Sequence, residues 1–125
     1  MSAKKRMMQE IEAKAKRKKQ LSQALSMQKT VARLAKEYFD RVQEARDLDM
    51  CAMLEPMALN SLQIALAHQI DRHCYVCSNA HEGCGSDELK IEIRWSQHYA
   101  DETGCDQTMV LDAASAEFQH AMEQI

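Results

Sequence analysis

A chain of 125 residues with 46% hydrophobic content has room for one ordinary domain, and it is too apolar to stay disordered. Three glycines and one proline favour long helices with few tight turns, and no apolar run reaches the ~18–20 residues of a bilayer span. The formal charge of −3 hides a split: residues 1–36 hold eleven Lys/Arg against Glu10 and Glu12, a formal +9, and the remainder carries −12. Such a split points to an arm that meets a polyanion or an acidic partner.

The expected fold class is α+β and helix-dominated. Its order is a long basic helix, an antiparallel helical hairpin core, a Cys/His loop, a β-hairpin and a C-terminal helix. Residues 1–30 read as the basic arm and residues 31–125 as a single small domain. Met1 to Gln20 lacks the apolar stretch of a secretory signal, so an intracellular, cytoplasmic setting is expected. A basic, acid-poor start is also a feature of organelle transit peptides, but here Lys outnumbers Arg and Ser is scarce.

Residues 2–53 read as one helix or two nearly continuous ones, because Ala, Lys, Glu, Gln, Met and Leu dominate and the first proline is Pro56. In the second half Val31, Leu34, Ala35, Tyr38, Val42, Ala45, Leu48 and Ala52 recur at steps of three and four, which puts them on one face. The first half differs. Between Ile11 and Leu21 the only apolar residues are Ala13 and Ala15, and Lys14, Lys16, Arg17, Lys18 and Lys19 point nearly all round the helix at ~100° per residue. A segment like that cannot pack on a core.

Pro56 is expected to open the next helix, since proline suits a first turn. Residues 56–70 carry a stripe of Leu59, Leu62, Leu66 and Ile70, with Met57 and Ile64 widening it. A short connection implies antiparallel pairing with residues 31–53. The chain holds nine methionines and few aromatics, so methionine is expected mainly as core filler; the other use of Met is on surfaces that accept partners. His68 and Asp71, near one helix end, are placed to pair.

Residues 71–87 read as a loop rich in Cys, His, Gly, Ser, Asn and Asp. Residues 88–99 alternate, with Leu89, Ile91, Ile93 and Trp95 on one side, and read as a half-buried strand; Trp95 and Tyr99 are core candidates. Residues 100–106 read as a turn, 107–111 as the returning strand, and Asp112 as the N-cap of a last helix.

Two clusters carry possible chemistry. Cys74-x2-Cys77 has knuckle spacing, and His81 and Cys84 follow, with Cys105 as a substitute; four such ligands suit a structural zinc. The two later intervals are shorter than in a retroviral-type knuckle, so only a loose likeness results. Reduced, partly buried thiols are the alternative. Disulfides fit poorly with five cysteines and no sign of secretion. The second cluster is Lys4, Lys5, Arg6, Lys14, Lys16, Arg17, Lys18 and Lys19. Such cations bind phosphates through counterion release, and with no aromatic among residues 1–37 they favour backbone contact over base reading. The ordinary reading is a solvated helix end. A membrane partner is not expected, since Ile11 and Leu21 offer little apolar face.

No P-loop, GxSxG, HExxH or EF-hand pattern occurs. The expected function is therefore a non-enzymatic binding or regulatory protein whose basic helix engages a nucleic acid, a nucleic-acid-handling complex or an acidic protein surface. One alternative is a structural subunit of a ribonucleoprotein or protein assembly. A second is a metal-dependent enzyme that uses the Cys/His cluster with Glu82 as base.

Overall fold

The computed structural model describes residues 3–82, 88–115 and 118–120. The architecture is α+β and helix-dominated. Helix α1 runs Ala3–Asp47 and α2 runs Cys51–Gln69; strands β1 (Tyr75–Ser78), β2 (Lys90–Arg94) and β3 (Thr108–Asp112) and a short helix α3 (Gln97–Thr103) complete it. Helix α1 is continuous for 45 residues, yet its buried residues begin only at Met27 and run through Val31, Leu34, Ala35, Tyr38 and Val42 to Ala45.

The break between the helical pair falls at residues 48–50, earlier than the boundary that Pro56 suggests. The chain leaves α1 through a Schellman closure: Met50 N–H donates to the Ala45 carbonyl at 2.8 Å and Asp49 N–H to that of Arg46 at 3.1 Å. The left-handed position is filled by Asp49, with φ 55°, instead of glycine. Aspartate tolerates that region, so no Gly or Pro marks the turn. Helix α2 then starts at Cys51, five residues before the expected start, and Pro56 lies inside it. There Pro56 forgoes only the bond to the Ala52 carbonyl, which sits on an exposed residue.

Leu62 and Leu66 are buried in one cluster with Leu34, Tyr38 and Val42, as the stripe predicts. Four expectations for this pair fail. Met57 and Ile64 do not widen the stripe, and both are 60% exposed. Leu48, past the Schellman closure, and Ala52 are exposed instead of sharing the core face. The reason is angular. Ala58, Leu62 and Leu66 at steps of four define one side of α2. Met53, Met57 and Ile64 fall on the far side.

The sheet has three antiparallel strands in the order β1-β2-β3, with Val76 opposite Ile93 and Ile93 opposite Met109. The expected hairpin is thus widened by β1, which lies in the segment read as a Cys/His loop. Tyr75–Ser78 alternates exposed and buried side chains, and its brevity among Cys, His and Asn residues masked it. The expected strand over 88–99 is also cut short. It stops at Arg94, and Ser96 caps α3 by accepting the Tyr99 N–H on its hydroxyl. Residues 100–106 therefore hold the end of a helix, closed by Gly104 at φ 71°, and not just a turn. Leu89, Ile91, Ile93 and Trp95 are buried as expected, and Trp95 packs on Tyr99 with ring centroids 5.2 Å apart.

Asp112 does not cap the last helix. It ends β3, and its carboxylate accepts the Ala114 N–H. Ser115 takes the cap role, accepting the Phe118 N–H at 3.0 Å. Phe118 packs edge-on against Phe39 of α1 at 5.4 Å, which ties the described part of the C-terminal segment to the core. The rest of the expected final helix lies outside the described residues.

Candidate nucleic-acid interface

The basic cluster lies on the part of α1 that precedes the core. Lys4, Lys5, Arg6, Lys14, Lys16, Arg17, Lys18 and Lys19 are all exposed. Gln20 is the first half-buried residue, and its side-chain amide donates to the Glu102 carbonyl of α3 at 3.3 Å. Gly104 lies against the same side chain: a β-carbon built there would sit 3.5 Å from Gln20 Cδ. The helix parts from the body at this point. From Ala3 to Lys19 it extends for about 25 Å at 1.5 Å per residue.

Local sequence explains both properties. Lys, Arg, Ala, Gln and Glu keep this segment helical without tertiary help. The absence of a continuous apolar stripe leaves nothing to hold it on the body. Met7, Met8, Ile11, Leu21 and Leu25 are each more than half exposed. The result is a rod with cations at nearly every azimuth, opposed by Glu10 and Glu12 alone.

The Cys/His cluster has a different geometry. Cys74 is buried and Cys77 exposed, because a step of three along a strand reverses the face. Gln63 of α2 holds this strand: its amide donates to the Cys74 carbonyl at 2.8 Å and accepts the Val76 N–H at 2.8 Å. Burial first, and the neighbouring Asp71 second, push the Cys74 thiol up to about 11. That direction favours the neutral thiol over the thiolate a metal requires. Cys77 and His81 line a shallow groove with Glu82, Glu92 and Lys90. Cys105 lies beside Thr103, whose hydroxyl is 3.0 Å from its sulfur. Cys84 is outside the described residues. Among the described residues no three His, Cys, Asp or Glu side chains converge as metal ligands. Cys74 and Cys77 lie on opposite faces, and one of them would have to change face for both to hold a single ion.

Asp71 does not pair with His68. It is buried, and its carboxylate accepts the Ser96 N–H at 2.7 Å, the Ser96 hydroxyl at 3.1 Å and the His73 N–H at 3.1 Å. This carboxylate joins the end of α2 to the start of α3, 25 residues away. Gln63 does not stand out in the sequence, and Asp71 does so only as a partner for His68, because Ser96 is 25 positions away and Cys74 and Val76 are 11 and 13.

A cavity of about 380 Å³ lies where α1, α2 and the end of β1 meet, lined by Tyr38, Cys51, Glu55, Leu59, Ser78 and His81. Burial and the nearby Glu55 carboxylate raise the Cys51 thiol above its ordinary value, which opposes thiolate formation. Glu55 itself lies 3.7 Å from the Arg46 guanidinium. The cavity thus offers an apolar wall and a compensated carboxylate.

Among the described residues no helix is long and apolar enough to cross a membrane. In comparisons with known proteins, no family model, no curated protein and no solved structure matches this chain.

Proposed function

We propose that this protein is a non-enzymatic binding protein whose N-terminal helix grips a polyanion, with nucleic-acid backbone as the favoured ligand. One observation carries the reading: residues 3–19 form a helix that is exposed throughout and cationic on all sides. Charge on every side suits a rod enclosed by phosphates, as in a groove or within folded RNA, better than a flat contact. The body is formally acidic, so the phosphates are drawn to the arm and repelled elsewhere. With no aromatic among residues 1–37 to stack on bases, contact is with the backbone and sequence preference is weak.

The test is salt-dependent binding of duplex and single-stranded DNA and RNA to the full chain. Affinity is expected to fall steeply with salt, each neutralised phosphate adding about 0.7–0.9 to the log–log slope. Changing Lys14, Lys16, Arg17, Lys18 and Lys19 together to Gln is expected to flatten that slope by several units. Gln preserves helix propensity, so helicity should persist. Equal binding by this variant overturns the proposal. So does negligible nucleic-acid binding combined with capture of an acidic protein.

A further inference from the structure

The outer face of α2 is an exposed helix surface with almost no charge. Met53, Met57 and Ile64 are each 60% exposed, and Asn60, Ser61 and His68 are exposed alongside them. Leu48 and Met50 extend the apolar surface past the N-terminus of the helix. Between Met50 and Gln69 the only Asp, Glu, Lys or Arg is Glu55, which is turned toward Arg46. Solvated helix faces normally carry charged side chains. A face depleted of charge and enriched in methionine has the composition of an interface centre.

We propose that this face is the contact surface of a two-fold dimer, with α2 of one copy packed antiparallel on α2 of the next. The charge distribution selects this occupant. In a two-fold contact a patch meets itself, so a charge near the axis meets its like. The Met53–Met57–Ile64 face carries no such charge. A basic arm laid here would find no carboxylate on the face. Glu44, in the groove beside Met57, has Arg41 as its neighbour. A polyanion finds no cation there either. Helix α2 is about 28 Å long. Along it and just before it Leu48, Met50, Met53, Met57 and Ile64 are 40–60% exposed, and the groove lined by Arg41, Glu44, Leu54 and Met57 lies beside them. Met57 and Asn60 lie near the middle of the stripe and hence near the axis. The dimer presents two basic arms, which adds avidity for a long polyanion without any new contact.

The experiment is sedimentation velocity of the full chain over a concentration series, at low and at high salt. The expected result is a species of twice the chain mass that persists at high salt, because apolar contact is not screened. Met57→Glu places a carboxylate against its symmetry mate and is expected to give monomer. Its unchanged circular dichroism would show that the fold survives. Met57→Leu is expected to keep the dimer. A wild-type monomer throughout the series overturns the proposal. A dimer indifferent to Met57→Glu overturns it too, as does one lost at high salt, which would identify arm-to-body pairing. The five-fold Lys-to-Gln variant should remain dimeric, so failure of this proposal and failure of polyanion binding are distinguishable.

Discussion

The two halves of α1 are built from similar helix formers and meet opposite fates. Residues 27–45 place Met27, Val31, Leu34, Ala35, Tyr38, Val42 and Ala45 at helical spacing and are locked into the core. Residues 3–19 have comparable propensity but no continuous stripe, and every one is exposed. Propensity alone sustains a helix weakly, since isolated helices are marginal until about 12–15 residues. The arm borrows its nucleus from the packed half. The difference shows that helix formation and helix docking are separate decisions, the first set by backbone preference and the second by apolar periodicity.

Paired truncations test that comparison most directly. Leu66→Ala removes a fully buried side chain facing the core half of α1 and is expected to cost about 2–5 kcal/mol in denaturant unfolding. Ile11→Ala, in the arm, is expected to change stability by less than about 0.5 kcal/mol. Equal costs would mean that the arm is held on the body after all.

A smaller effect is expected at the junction that Asp71 makes. Asp71→Ala strands the Ser96 N–H and hydroxyl and the His73 N–H, and should cost about 2–3 kcal/mol, the scale of hydrogen bonds to a charged group. The loss should be accompanied by a change in Trp95 fluorescence, because α3 and the indole share this corner. An unaltered spectrum would place the role of Asp71 elsewhere.

The smallest expected effect is alkaline. Burial holds Cys74 up to about 11, and burial with the nearby Cys105, Asp71 and Cys74 holds Tyr99 up to about 12. Both values lie above those of the unfolded chain, so the folded state keeps protons that the unfolded state releases. Stability from these groups is full below about pH 9 and declines as pH rises toward 12. Thermal melting against pH checks the direction. Alkylation provides a companion readout: exposed Cys77 should react well before buried Cys74. If both are protected until a chelator is added, the Cys/His cluster holds metal in solution.

Most of the helical architecture was legible. Leu62 and Leu66 faced the predicted partners because steps of three and four dictate a side of a helix wherever it docks. The basic arm was legible for the converse reason, that charge all round leaves no face to bury. The break at Asp49 was not, because a left-handed aspartate carries no glycine signal. Strand β1 was hidden because four residues among Cys, His and Asn show too little alternation to stand out.

The sequence by itself determined that a basic helical rod precedes a small helix-dominated body, since both follow from composition and spacing along one strand of chain. Only the tertiary structure decided that Met57 and Ile64 lie outside the buried side of α2, that Cys74 and Cys77 turn to opposite faces, and that Asp71 belongs to Ser96. Each of these depends on what lies across from a residue. Partners 11 to 40 positions apart, such as Gln63 with Cys74, Asp71 with Ser96, and Tyr38 with Ser78, leave no periodic trace in the chain.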